Sequence, residues 1–416
     1  MLFGSSGIRR VFDQELIQIA LQAGSELGSR GNTLILGTDT RTTNGILASA
    51  LISGFLSAGG DVKTTGIVPT PVVAFAVRTA SAGCMVTASH NPEEYNGLKL
   101  FNPDGSSFTK VQQETLSRQL GTSDPADWTH QGNLSSIDAI TPYTDSILDK
   151  VHVNHELKVL LDCGCGAGST VSPGLLSHLG ATPVCINCHP SGHFARPSEP
   201  VESNLLFIPE MMKTTGARVA VVHDGDADRM MAFDEQRRFI DGDHLLMLFT
   251  SYLGARNVVT TVDASMAIEE IAEVRRTPVG DSFVSEELRS WGEFGGEPSG
   301  AWIFPKQSYC PDGPYAAALF CEIAGEWNIA DVLDAMPHYP VLRESINRLD
   351  SREVLRAIGA DNPTNGVRLS SEDGWCLIRA SGTEPKIRFT AEGKTLQKAK
   401  EMLDCGQELV RREKTA

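Results

Sequence analysis

Three carboxylates at alternate positions, Asp224, Asp226 and Asp228, follow directly on the apolar run Arg218-Val219-Ala220-Val221-Val222 and are closed by Arg229. At the carboxyl end of a strand they can converge on one hard cation. An open carboxylate site suits Mg²⁺, which takes few protein ligands and keeps positions for phosphate oxygens or water. A calcium loop is the rival reading, since Asp224, Asp226, Asp228 and Glu235 fall at its positions 1, 3, 5 and 12. It fails at position 6, where Arg229 replaces the turn-making glycine, and its flanks read as strands. A solvated acidic turn is the plainest alternative.

A second stretch, Thr87-Ala88-Ser89-His90-Asn91-Pro92, follows the apolar Cys84-Met85-Val86 and precedes Tyr95-Asn96-Gly97-Leu98-Lys99. Proline pushes the residue before it out of helical conformations, so Ser89 is expected on a loop at a strand's end. Alone, such a Ser-x-Asn-Pro more often makes only a side-chain-to-backbone turn. Arg379-Ala380-Ser381-Gly382-Thr383-Glu384-Pro385 offers a guanidinium, hydroxyls and open backbone N–H groups to an anion, or is simply a turn. In Gly295-Gly296-Glu297-Pro298-Ser299-Gly300, Glu297 and Ser299 alternate and could face sugar hydroxyls, the bland reading being a hairpin.

One chemistry uses all four stretches: a serine that carries a phosphoryl group, a cation that polarises it, a grip for phosphate and a reader of sugar. Phosphoryl transfer asks a protein mainly for positioning and charge neutralisation. On an extended chain His90 would point away from Ser89, against a direct dyad. Lys99, Arg9 and Arg229 are better suited to charge work near the phosphate.

The elements that must position these groups read as α/β. A helix near 13 to 28, a strand at Thr33–Leu36, a helix from Gly45 to Ala58, a further strand and helix, and the Ser89 strand alternate as a layered α/β domain does. The cadence restarts at Leu157–Leu161, with a turn at 164 to 168, a helix at 171 to 179 and a strand at 183 to 186. A third round holds a helix from Asp243, a strand at Asn257–Val262 and helices at 265 to 274 and 282 to 291. From 338 the pattern changes to strands near 341–347, 367–370, 375–379 and 386–392, closed by a helix with Leu396, Ala399, Leu403 and Leu409 or Val410 on one stripe. The expected domains are 1–152, 153–242, 243–337 and 338–416.

With 416 residues the chain exceeds one ordinary core, and its net charge of −16 argues against nucleic acid or an anionic membrane as partner. No apolar run is long enough to span a bilayer and the first ten residues hold no signal core, so a cytoplasmic protein is expected. Nine cysteines are an odd set for a disulfide framework. Cys163, Cys165, Cys185 and Cys188, with His189 and His193, could be drawn as a zinc site, but the tight 163/165 spacing after a strand favours buried or loop thiols.

In order and over nearly the whole chain, the four stretches resemble the α-D-phosphohexomutase superfamily. Phe3-Gly4-Ser5-Ser6-Gly7-Ile8-Arg9, Asp39-Thr40-Arg41, Pro69-Thr70-Pro71 and Tyr95 to Lys99 support the resemblance. It implies four domains: three similar α/β/α units with mixed sheets and a smaller C-terminal α+β domain. It also implies Mg²⁺ held by Asp224, Asp226, Asp228 and a phosphorylated Ser89, and a phosphosugar substrate that passes through a hexose 1,6-bisphosphate. Lys99 would transfer protons and Arg9 would stabilise charge, both near the reacting oxygens, and His90 is counted with them among the catalytic residues. Glu297, Ser299 and Arg229 would read the sugar, and Arg379, Ser381, Gly382, Thr383 and Arg388 would hold its distal phosphate. The expected reaction interconverts hexose 6- and 1-phosphates, by a monomer or homodimer. Ala301 stands where several relatives place a histidine, and Gly280-Asp281 resembles the branch that acts on glucosamine phosphate, which places that sugar ahead of glucose and mannose. A phosphosugar-binding protein without chemistry and a phosphatase are the other classes to test.

Overall fold

The computed structural model describes residues 2–4, 7–29, 31–153, 156–363, 365–381 and 385–413. Among them the strands form four sheets. The first has the spatial order Phe3–Gly4, Gly7–Val11, Tyr95–Phe101, Ala82–Val86, Thr33–Thr38, Asp61–Ile67 and Leu134–Ser136. From Ala82–Val86 the ladders out to Leu134–Ser136 are parallel, and those through Tyr95–Phe101 to Phe3–Gly4 are antiparallel. Ala82–Val86 is buried along its whole length, as a strand covered by helices on both faces must be. The helices Gln14–Leu27 and Asn44–Ser57 bury Leu16, Ile19, Leu47, Leu51 and Phe55 on one side. Val72, Val73 and Tyr143, from Thr70–Ala76 and Ile140–Leu148, cover the other.

The second sheet orders Phe239–Ile240, Met230–Phe233, Val219–His223, Lys158–Asp162 and Thr182–Ile186; the third orders Glu273–Thr277, Asn257–Thr261, Phe294–Glu297 and Ala301–Ile303. Both are mixed. One apolar core runs through all three units, from Ile35 through Leu161 to Phe320. The fourth sheet, Val341–Asn347, Lys386–Gly393, Gly374–Ala380 and Val367–Ser371, is wholly antiparallel and closes its own core around Leu355, Ile378 and Phe389. A small contact of Met266 with Trp375 and Leu377 joins it to the third unit. Glu392 Oε2 spans that seam, accepting from Met266 N at 2.8 Å and Trp375 Nε1 at 2.6 Å. No helix of the described residues is long and apolar enough to cross a membrane.

Two local expectations need correction. The helix expected at 265 to 274 is a 3-10 turn, Met266–Glu270, followed by the strand Glu273–Thr277. One turn already buries Met266, Ala267 and Ile268, and the free edge of Asn257–Thr261 offers a parallel ladder that overrides the local helix preference of the Met, Ala and Glu residues there. In the last helix, Leu396–Arg412, the buried stripe is Ala399, Leu403 and Val410, while Leu396 at the first turn is exposed.

Candidate active site

The serine loop is built from below by a buried polar lattice. Thr87 Oγ1 accepts from Ser89 N at 2.9 Å and donates to Asp39 Oδ2 at 2.6 Å. Asp39 in turn accepts from Arg41 N and Asn44 Nδ2. Arg41 then directs its guanidinium at loop carbonyls: Nη1 donates to Pro92 O and Tyr95 O at 2.5 and 2.8 Å, and Nη2 to Ser89 O and Asn91 O at 2.9 and 2.7 Å. A tight turn points several carbonyls inward, and a buried fork of donors is what satisfies them. Ser89 itself has φ +50°, a left-handed backbone that an L-residue holds only where its surroundings impose it.

That backbone also changes the position of His90. The chain is not extended here, and His90 Nδ1 comes to 3.4 Å from Ser89 Oγ. Burial, with Arg229, Arg9 and Lys99 nearby, pushes the imidazole down to about 2, so it is neutral.

The acidic loop leaves Val219–His223, and Ala227 at φ +54° folds it back on itself. Asp224, Asp226 and Asp228 are all buried, and each offers an oxygen within 4.8 Å of the others. Ser89 Oγ donates to Asp224 Oδ2 at 2.8 Å, and Thr70 Oγ1 to Asp226 Oδ2 at 2.5 Å. Lys99 Nζ pairs with Asp226 Oδ2 at 2.7 Å and with Asp228 Oδ2. Burial opposes ionisation of Asp226, yet Lys99 and Thr70 hold its carboxyl below the usual range. Asp224, buried and repelled by Asp228 and Asp226, is pushed well up. Lys99 stays an ammonium against burial because those two aspartates face it. Asp226 Oδ1 and Asp228 Oδ1 are buried with no hydrogen-bond partner, the state expected of oxygens meant for a cation. The donor set, three hard oxygens, fits Mg²⁺.

A cavity of about 310 Å³ opens beside the triad, and Arg9, Ser89, His90, Asp228, Glu297 and Arg379 are among its lining residues. Arg9 sits on Gly7–Val11, opposite Gly97 on the strand that carries Lys99, and its Nε is buried without a partner. Glu297 ends Phe294–Glu297, and the stretch to Ala301 is indeed a hairpin turn, Gly300 N donating to Glu297 O at 3.0 Å. The hairpin nevertheless faces the cavity with Glu297, Ser299 and Ala301. Glu297 Oε1 accepts from Gly280 N at 2.7 Å; burial first, then Asp281, pushes its carboxyl up to about 8. Ser299 Oγ is buried and unpaired. Arg229 bridges to Ala301 through the backbone and lies 3.6 Å from Glu199.

From the fourth unit only Arg379 lines the cavity among the described residues. Ser381 is buried, its N–H bonded to Lys386 O at 2.9 Å. Arg388 pairs across the strands with Arg379 and is exposed. Gly382 and Thr383 of the expected phosphate loop, like Ser5 and Ser6 of the N-terminal motif, lie outside the described residues.

Zinc finds no ligand set here: among the described residues the group able to hold a metal is the aspartate triad, and the nine cysteines are free thiols. Sequence reasoning assigns no role to Arg41 and Thr70, although both stand in motifs that it singles out. Arg196, which donates to Asp162 Oδ2 at 2.8 Å and His223 O at 2.6 Å behind the acidic loop, carries no local signal at all.

Fold and site together define a class: a four-unit α/β protein whose cleft gathers a serine hydroxyl, a buried carboxylate triad and converging arginines. The phosphoglucomutase/phosphomannomutase α/β/α domains I, II and III match residues 1–127, 141–237 and 241–339, and the C-terminal domain of the same family matches 344–404. The chain belongs to the phosphoglucomutase/phosphomannomutase family. It is 41% identical to a protein of Methanococcoides burtonii named probable phosphoglucosamine mutase, covering 94% of this chain and 95% of that one. It is 38% identical to the phosphoglucosamine mutase of Methanocaldococcus jannaschii, covering 99% and 98%. The crystal structure of a phosphoglucomutase/phosphomannomutase family protein from Burkholderia thailandensis superimposes with a TM-score of 0.84 at 26% identity, covering 99% of this chain and 96% of that one.

Proposed function

We propose that the protein is an isomerase that interconverts glucosamine 6-phosphate and glucosamine 1-phosphate through a phosphorylated Ser89 and a 1,6-bisphosphate. The observation that carries this is Ser89 Oγ held on Asp224 Oδ2 beside Asp226, Asp228 and Lys99, so that a phosphoryl group on the serine would lie among cation ligands. The names and near-complete coverage of the relatives support the sugar.

In this reading Mg²⁺, held by Asp224, Asp226, Asp228 and the Ser89 phosphate, would neutralise charge on the transferring group. The chain's own residues do the rest. A substrate hydroxyl attacks phosphorus, the bond to Ser89 Oγ breaks, and one proton passes from that hydroxyl toward the serine oxygen. Lys99, an ammonium in the site, is the group assigned to exchange it, and Arg9 and the neutral His90 stabilise and orient the reacting oxygens. Glu297, Ser299 and Arg229 hold the sugar; Arg379, Ser381, Gly382, Thr383 and Arg388 hold its other phosphate. The bisphosphate turns over and returns its second phosphate to Ser89. The proposed divisions at 152, 242 and 337 are supported by each falling between the last strand of one sheet and the first strand of the next.

The test is isomerisation of glucosamine, glucose and mannose 6-phosphates by one preparation with Mg²⁺ and a trace of glucose 1,6-bisphosphate, followed by phosphorus NMR. Turnover of the glucosamine ester alone supports the reading, and comparable rates on all three make the enzyme a broad mutase. Phosphate release without isomerisation identifies a phosphatase, and binding without turnover a phosphosugar-binding protein.

A further inference from the structure

Cys163, Cys185 and Cys188 lie together at the ends of two strands. Lys158–Asp162 and Thr182–Ile186 run parallel, with Leu161 opposite Cys185 and Asp162 opposite Ile186. Cys163 leaves the first strand, and Cys188 follows the second after a left-handed turn at Asn187. Ile186 O joins the two cysteines: it accepts from Cys188 Sγ at 3.1 Å and from Cys163 N at 3.4 Å, and Cys188 Sγ also lies 3.6 Å from Leu161 O. Cys163 is buried, Cys188 partly exposed and Cys185 exposed.

We propose that Cys188 is a peroxide-sensitive thiol that closes a disulfide with Cys163 and so lowers the activity of the neighbouring site. The two thiols are unequal in the manner such a pair requires. The neighbouring Cys163 side chain lowers the Cys188 thiol against its burial, while burial raises the Cys163 thiol well above the ordinary range. The attacking sulfur is then Cys188, and Cys163 resolves it.

The chemistry balances with hydrogen peroxide as oxidant. The Cys188 thiolate attacks one peroxide oxygen; an S–O bond forms, the O–O bond breaks, and hydroxide leaves to become water. Sulfur is oxidised to the sulfenic acid and peroxide is reduced. Cys163, losing its proton, then attacks the Cys188 sulfur; an S–S bond forms and a second water leaves.

Connection to the site runs through the turn that Cys163 opens. Gly164 N bonds Asp162 Oδ1 at 2.8 Å, Cys165 N bonds Asn187 O at 2.7 Å, and Ala167 N bonds Gly225 O, inside the acidic loop, at 2.8 Å. Thr40 Oγ1 donates to Cys165 O at 3.0 Å, tying the same turn to the residue next to Arg41. There is little slack: a Cβ on Gly166 would lie 2.6 Å from Gly225 O. A bonded S–S distance of about 2 Å is shorter than any thiol hydrogen bond, so the disulfide must draw Cys163 and Cys188 together and shift that bracing.

The experiment exposes the reduced full-length protein to hydrogen peroxide, maps its disulfides by peptide mass spectrometry, and follows turnover before and after dithiothreitol. The expected result is a Cys163–Cys188 linkage, a several-fold fall in turnover and recovery on reduction. Cys188→Ser should keep its turnover under the same peroxide, and Cys185→Ser should behave as the wild type. A Cys185–Cys188 linkage, no linkage, or the expected linkage with unchanged turnover overturns the proposal. The mapping is read on the wild-type chain, so it stands whether or not a variant folds and whichever sugar phosphate is the substrate.

Discussion

Ser89 Oγ donates a 2.8 Å hydrogen bond to Asp224 Oδ2, although the two residues lie 135 positions apart. The contact joins the ends of two strands from different sheets, Ala82–Val86 and Val219–His223. If Ser89 carries the phosphoryl group, Ser89→Ala should lower turnover by about 10⁴-fold or more while leaving the fold intact. Steady-state kinetics beside thermal melting would check it; a variant with near-normal turnover removes the phosphoserine.

The unpaired oxygens of Asp226 and Asp228 make a second prediction. Saturating Mg²⁺ at about 100 times its Kd should stabilise the folded protein by about 2.7 kcal/mol. Asp228→Asn should lose most of that gain, and a chelator should abolish wild-type turnover. Calorimetry with and without the metal reads the effect directly. An equal shift in the variant would move the cation elsewhere.

Arg41 is 3% exposed and holds four carbonyls of the serine loop. A lysine keeps the charge but not the fork. Arg41→Lys should therefore lower kcat by about 10²-fold through misplacement of Ser89, with little change in KM. A fall confined to KM would mean that the loop serves binding alone.

Glu297 carries a sign that can be worked out. Its folded-state pKa is raised from 4.5 to about 8, burial being the largest cause and Asp281 the next. Between these values the folded chain binds more protons than the unfolded one, so stability falls as pH rises. The contribution is fully present below 4.5 and gone once the pH has passed about 8. Glu297→Gln removes the titrating group and should gain on the wild type by up to about a few kcal/mol between roughly pH 5 and 8.5. Denaturant unfolding at the two pH values measures this, and parallel behaviour of the two proteins would contradict it.

Gly97 sits opposite Arg9, and a Cβ there would lie 1.8 Å from Ile8 O. Gly97→Ala must part the strands that carry Arg9 and Lys99. The expected cost is about 1–3 kcal/mol of unfolding free energy, as for other overpacked sites, together with weaker catalysis. Unchanged denaturation curves would show that the two strands move apart freely.

Much of the site is legible in the sequence because its signals are local. Alternate carboxylates after an apolar run, a serine between a strand and Asn-Pro, and turns rich in glycine each depend on a few neighbouring residues. The helix expected at 265 to 274 fails for the converse reason: its Met, Ala and Glu residues favour a helix locally, and the open edge of Asn257–Thr261, contributed by a separate strand, decides for a strand after one turn. An extended chain would carry His90 away from Ser89, and the left-handed Ser89 breaks that assumption.

By itself the sequence determined the four units, the order of the chemical loops and the types of group they carry, since periodicity, strand ends and turn chemistry act over short stretches of chain. Only the tertiary structure decided which groups meet. Lys99 between Asp226 and Asp228, Thr70 on Asp226, Arg41 beneath the serine loop and Cys163 and Cys188 on the one carbonyl of Ile186 all depend on how strands pair and sheets stack. That stacking is set by burial of one apolar core shared by three units. Burial is non-directional and summed over distant residues, so no short window of sequence contains it.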